Sequence, residues 1–152
     1  MSNLAKITAN FSKKTNMQPI NEILQTMQNI AVIGFSPDPQ KDSNMVGKFL
    51  IDKGFCVYPV YPKQGEIYSH KIYQNLSEIN EPIDTVVMFR KGEFAKVLID
   101  EVIKKGISNF WLQLGITNEN VKKIAQKNGI NFVQNACIMV EYKAKFEWKK
   151  GK

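Results

Sequence analysis

The sequence predicts an α/β fold, a single doubly wound, mostly parallel five-stranded sheet with helices on both faces. Three observations lead there. Short apolar segments alternate with segments of helical spacing along the 152 residues. The apolar segments do not alternate with polar residues, as befits strands covered on both faces. Glycines stand where helices of this kind end, at Gly54, Gly106 and Gly129. Strands that alternate with helices are joined by right-handed crossovers, which makes the sheet parallel.

The elements follow in order. Residues 1–17 are rich in Ser, Asn, Thr and Lys and read as a flexible tail. Pro19 suits a first helical position, and Ile20, Ile23, Leu24 and Met27 follow at helical spacing. Strand one is Ile30–Ile33. The next helix runs from Ser43, its expected N-cap, to Lys53, with Met45, Val46, Phe49 and Leu50 on one face. Strand two is Phe55–Val60, and strand three, after a loop and a short turn near Ser77, is Thr85–Phe89. The helix Glu93–Lys105 is expected to bury Phe94, Val97, Leu98 and Val102. Strand four is Asn109–Leu112. Thr117 is the expected N-cap of a helix with Val121, Ile124 and Ala125 inside, and strand five is Ile130–Val133. The folded domain is placed at 18–142, followed by a basic tail at 143–152. Phe146 and Trp148, two residues apart, suit an added edge strand.

Charge narrows the function. The net charge is +7, but residues 1–19 and 141–152 hold eight lysines and two glutamates, while 20–140 holds 13 basic and 12 acidic residues. A nucleic-acid reader concentrates its basic residues on a folded face, often with aromatics between them, so this distribution argues against one. No apolar run approaches the ~20 residues of a membrane span. Cys56 and Cys137 have neither metal-ligand spacing nor the pattern of a disulfide framework. With no secretory signal visible, the expected setting is the cytoplasm, and no metal site is expected.

A parallel sheet of this kind binds ligands beyond the carboxyl ends of its strands, where strand order reverses. The residues just after the strands are therefore the ones to weigh. Arg90 follows strand three and is the one arginine beside 20 lysines. Its planar fork suits phosphate or carboxylate in a way lysine does not. A surface ion pair, or a strand-end cap for the fold, is the alternative. After strand one, "GFSPD" retains only the first glycine of a dinucleotide fingerprint and has no glycine at Asp38 to make a nucleophile elbow. The start of the Ser43 helix, with the hydroxyls of Ser36 and Ser43, still offers an anion site. Strand two is followed by Lys63 and has no acid until Glu66. A cation where an NAD-binding domain carries an acid suits a phosphorylated nucleotide, NADP or the 3′-phosphate of coenzyme A. A plain surface lysine is the other reading.

With these residues in place, the chain resembles the stand-alone CoA-binding domain proteins, Rossmann-like relatives of the CoA-binding domain of succinyl-CoA synthetase within the NAD(P)-binding superfamily. The resemblance rests on "VIGFSPDP", "SNMVGKFLIDKGFCVYPVYPK", "EIYSHKIYQNLSEI", "IDTVVMFRK", "FWLQLGITNE" and "CIMVEY", in that order. It implies coenzyme A across the first turn and the end of strand two, with Ser36 and the Ser43 helix facing the pyrophosphate. It also implies Lys63 and Arg90 near the nucleotide. Tyr61 stands where the family often has Asn, and Ala136 where a basic residue is frequent. The candidate cofactor contacts are Gly34, Phe35, Ser36, Ser43, Asn44, Val60, Tyr61, Lys63, Phe89 and Arg90. Gln113, Cys137 and Glu141 are candidates toward a substrate end.

No catalytic set emerges. His70 is the single histidine and lies in the polar loop "IYSHKIY". Cys137 suits either a reactive thiol or a packed one. The expected function is a CoA or acyl-CoA binding protein without chemistry of its own, a sensor or carrier. The alternatives are a small NADP-dependent oxidoreductase, or a CoA-binding subunit whose partner supplies catalysis. A homo-oligomer is equally open.

Overall fold

The strand residues divide between two cores by simple alternation. Strand β1 is Asn29–Ile33 and strand β5 is Thr85–Met88. In β1, Ala31 and Ile33 face one core while Ile30 and Val32 face the other. Val86 and Met88 of β5 share the first core, and Val87 the second. Successive side chains of a strand point to opposite faces, so an all-apolar strand demands cover on both. The computed structural model describes residues 17–148. The tail expected at 1–17 lies outside the described residues except for Met17, as do 149–152 of the basic tail.

The main sheet has five parallel strands. Strand β2 (Cys56–Val60) lies at one edge, followed by β1, β5, β6 (Asn109–Leu112) and β7 (Asn131–Val133). Pro59 within β2 is tolerated because this is an edge strand, where a missing N–H costs least. A separate two-stranded hairpin pairs β3 (Glu66–Ile67) with β4 (His70–Lys71). The residues alone suggest a loop here, which the hairpin replaces.

Helix α1 occupies residues 17–26, α2 Asp42–Asp52, α3 Phe94–Lys104, α4 Glu119–Lys127 and α5 Ile138–Phe146. Side chains of α3 and α4 fill the first core. Those of α1, α2 and the start of α5 fill the second, with Ile67 of the hairpin. The domain end drawn at 142 falls inside α5. Phe146, expected to suit an edge strand, is helical, and its ring stacks 4.8 Å from Tyr142. Among the described residues no helix is long and apolar enough to cross a membrane.

Three local expectations are corrected. Lys41, not Ser43, is the N-cap of α2, because the Ser43 hydroxyl is turned back to accept from Ser36 N at 3.0 Å. Asn118, not Thr117, caps α4. Its Oδ1 accepts from Val121 N, and its Nδ2 donates to Gly92 O, so one amide satisfies two loops. The Thr117 carbonyl instead packs where a side chain on Gly92 would stand, 2.1 Å from a Cβ there. Val97, expected inside, is 61% exposed.

Gly47 in α2 is required by packing. A Cβ there would lie 2.3 Å from Cε2 of Phe35, which is fully buried. Gly47→Ala gains ~0.5–1 kcal/mol of helix propensity. Overpacking a closed core costs about 1–3 kcal/mol, and with no room for the ring to retreat this term wins. Urea unfolding of Gly47→Ala is expected to show a net loss of stability; a gain would show that the ring yields freely.

Candidate functional site

Numbering only the strands of the main sheet, their spatial order is 2-1-3-4-5, so the connections leave β1 and β5 for opposite faces. The crevice between their carboxyl ends is the topological switch point. Gly34 sits on one lip and Phe89 and Arg90 on the other. Gly34 has φ +86°. A Cβ on it would stand 3.3 Å from Phe89 Cβ and 3.4 Å from Arg90 Cδ. Both the backbone conformation and the close approach call for glycine. Gly34 N donates to Val60 O at 2.8 Å and Phe89 N to Ile33 O at 2.8 Å. The ends of β1, β2 and β5 are thereby held as one platform.

The first turn is stitched to the start of α2. Ser36 N donates to Ser43 Oγ, Asp38 N to Ser36 Oγ, and Asn44 Nδ2 to Ser36 O. Ser36, Ser43 and Asn44 are all buried. The two serine hydroxyls thus accept within the turn, and each keeps its own O–H as a donor. Asn44 is committed on both sides, since its Oδ1 accepts from Tyr68 at 2.6 Å. Asn44 therefore shapes the site. The Phe35 side chain is buried in the second core, so only its backbone faces the turn. Val60 is likewise buried.

Tyr68 was not singled out from sequence. It and Ser69 form the tip of the hairpin, with φ of 50° and 67°. Such a turn is usually built from Asn or Gly, so the residue types gave no signal for it. Its hydroxyl bond to Asn44 carries the hairpin over the start of α2. The Lys48 ammonium lies 5.8 Å from the Tyr68 ring centroid. Its hydrogen bond to Asp52 holds its pKa above the usual lysine value. His70 Nδ1 is 2.8 Å from Tyr68 O, which assigns the ring to the hairpin.

On the other side of β2 lies a cleft of about 120 Å³, lined in part by Gly34, Tyr61, Pro62 and Arg90. The Arg90 guanidinium lies over the Phe94 ring, 4.7 Å from its centroid. The ion pairs among the described residues, Lys48–Asp52 and Lys53–Glu147, do not involve Arg90. The surface ion pair entertained for it is therefore absent from the described residues. Lys63 is exposed just beyond β2, its N–H bonded to Tyr61 O.

The remaining candidates gather at the far strands. Gln113 is buried, and its Oε1 accepts from Ile138 N at 2.9 Å, tying the end of β6 to the start of α5. Cys137 is the N-cap residue of α5 and is a free, partly buried thiol. Glu141 N donates to Cys137 O within the first turn of that helix.

The site thus consists of a crevice at the switch point, a glycine turn running into a helix, and an arginine that makes no ion pair among the described residues. The family model of the CoA binding domain matches residues 28–143. The chain belongs to this CoA-binding domain family. An uncharacterized protein of Bacillus subtilis, YneT, is 35% identical over 123 residues, 81% of this chain and 91% of its own. The alpha subunit of an ADP-forming acetate–CoA ligase II from Pyrococcus furiosus is 30% identical over 122 residues. The match covers 73% of this chain and 27% of the subunit, so this chain spans about a quarter of the length of that relative. Among solved structures, a hypothetical protein from Pyrococcus horikoshii superposes with a TM-score of 0.78 at 35% identity, covering 84% of this chain and 89% of the other. A Thermus thermophilus protein gives 0.79 at 30% identity, covering 85% and 98%.

The bond from Tyr68 to Asn44 is testable. Tyr68→Phe removes one neutral hydrogen bond and is expected to cost about 0.5–1.5 kcal/mol. Asn44→Ala should cost more, because it also strips Ser36 O of its donor in a buried site. Denaturant unfolding reads both. Equal stability of Tyr68→Phe and the parent protein would show that the hairpin is held by packing alone.

Proposed function

We propose that this chain is a CoA- or acyl-CoA-binding module that performs no chemistry of its own. It would act as a sensor or carrier, or beside a partner that supplies catalysis. The observation that carries this reading is Arg90 beside Gly34 at the switch point, which makes no ion pair among the described residues. A rigid, cationic fork left without a protein anion is suited to a phosphate. The residues fit coenzyme A. The close approach at Gly34 brings the Arg90 side chain against the end of β1. The start of α2, with the free O–H groups of Ser36 and Ser43, offers donors to a pyrophosphate. Lys63 is free to meet a further phosphate beyond β2. Gln113 and Cys137, at the far strands, are the residues proposed toward the thiol end. The free thiols of Cys56 and Cys137 suit a reducing, cytoplasmic setting.

The kinship with a domain of acetate–CoA ligase subunits supports the partner arrangement. There a CoA-binding unit of this kind is about a quarter of a larger chain. His70, the single histidine, is bonded within the hairpin.

Two outcomes test the reading. CoA is expected to raise the melting temperature more than NAD or NADP does, and steady thiol release from acyl-CoAs is expected to be absent. An equal or larger shift with NADP would favour an oxidoreductase. Release abolished by Cys137→Ala or His70→Ala would make the protein an enzyme. Arg90→Lys keeps the charge and loses the fork, so calorimetry should show CoA binding weakened by ~1–3 kcal/mol, the scale of a hydrogen bond to a charged group. Unchanged affinity in the folded variant would move the anion contact away from Arg90.

A further inference from the structure

The β7 edge of the main sheet is open. β7 pairs with β6 on one side and, among the described residues, with nothing on the other. Asn131 N donates to Ser108 O, so in the parallel ladder the N–H and C=O of Phe132 are turned away from β6. Outside that edge lie two hollows of about 280 and 440 Å³ that share Phe132 and Lys122. Helix α1 forms one wall, with Pro19 and Ile20, and helix α4 the other, with Lys122 and Gln126. Together they make a groove from Asn131 to Ala136 with a strand edge as its floor. Such an edge is a template for a further strand, which adds through main-chain hydrogen bonds.

The chain itself supplies a strand at the right place. Gln18 and Pro19, in the first turn of α1, line the groove, so the 16 residues before Met17 enter beside it. Their overall composition is that of a tail, but Ala5-Lys6-Ile7-Thr8-Ala9-Asn10-Phe11 alternates strictly between apolar and polar. That is the pattern of a strand with one buried face. Topology sets its direction. Asn109 Nδ2 donates to Thr26 Oγ1 at 3.3 Å, so α1 ends at the amino end of the sheet and begins toward the carboxyl end. A strand that feeds α1 through a short connection therefore runs parallel to β7. Helices α1 and α2 cover the same face. A step from beyond β7 through α1 to β1 crosses that face in the same direction as the step from β1 through α2 to β2. Both crossovers then share the right-handed sense of parallel sheets. Residues 12–16 leave five residues for the connection, within the usual range of about two to six.

We propose that the groove along β7 is a docking site for the chain's own residues 5–11, which add to the free edge as a sixth parallel strand. Ala5, Ile7, Ala9 and Phe11 face Pro19 and Ile20 of α1, while Lys6, Thr8 and Asn10 face the polar wall of α4. The outward N–H and C=O of Phe132 enter the new ladder. The family match begins at residue 28, so this strand is an addition to the shared domain. Its connection to α1 brings Lys13 and Lys14 to the carboxyl end of the sheet, the end at which ligands bind in this architecture.

Hydrogen exchange of the full chain, read by mass spectrometry, tests this. Amides within residues 5–11 should exchange about ten- to hundredfold more slowly than those of an unstructured chain, the protection of a docked edge that still opens locally. Two matched pairs of substitutions separate a strand from other kinds of order. Ile7→Gln with Phe11→Gln strips the covered face and should release the segment to the free exchange rate, with loss of protection at Phe132. Thr8→Gln with Asn10→Gln changes the polar face alone and should leave both regions protected. The readout needs no ligand and is independent of CoA binding. Light scattering on the same samples gives the mass, and protection in a monomer is the expected result. Exchange at the free rate in the parent protein, or equal effects of the two pairs, would overturn the proposal. Protection confined to a dimer would put the segment on a second copy and overturn it as well.

Discussion

The chain leaves β1 and β5 within van der Waals distance of itself, and Gly34 makes that approach possible. A methyl group there would press on Phe89 and Arg90 from 3.3 and 3.4 Å, and the φ of +86° disfavours any other residue. The chains that follow these two strands go to opposite faces of the sheet. That divergence opens the crevice at the switch point and sets the start of α2 on one side of it and Arg90 on the other. The position of every other candidate at the strand ends is measured from this contact.

The turn that follows Gly34 is held from within. Ser36, Ser43 and Asn44 exchange hydrogen bonds in a buried cluster, and Tyr68 closes it from the hairpin. Below the turn, Phe35 fills the space that Gly47 leaves on α2. A loop ordered before its ligand arrives does not have to be ordered by binding, which raises affinity without adding contacts. In the proposed reading, backbone and hydroxyl donors on this rigid frame meet the phosphates, with long cationic side chains at its rim. A glycine-rich phosphate loop would gain closer approach. The frame built here trades that for rigidity through Pro37 and Pro39, whose rings restrict the backbone.

Charge is distributed with the same logic. The exposed ion pair Lys48–Asp52 lies along one face of α2 and contributes little to stability. Arg90 and Glu101 line one cleft, and neither makes an ion pair among the described residues.

Much of this was visible in the residues alone. Short apolar segments bounded by turn residues and alternating with longer helical ones suit strands covered on both faces, so the five strands and the parallel sheet followed from local pattern and agree with the structure to within a residue or so. Arg90 stood out by composition, and the strand-end rule placed it at the crevice. The motifs also carried the family, which the match over 28–143 bears out. What stayed hidden depends on partners distant in sequence. A serine at a helix start caps the helix unless a loop N–H claims its hydroxyl, and Ser36 claims that of Ser43. Val97 has the spacing of a buried residue, but the space above it is a cleft and not a neighbouring element. Phe35 follows a ligand turn yet points into the core, because Gly47 lies beneath it. Tyr68 carries no local signal at all. Short-range pattern reports which face of an element is apolar and where it ends, because those depend on backbone geometry shared by all such elements. The partner of a polar atom, or its lack of one, is set by segments brought together across the fold, and it exists only once the sheet has closed.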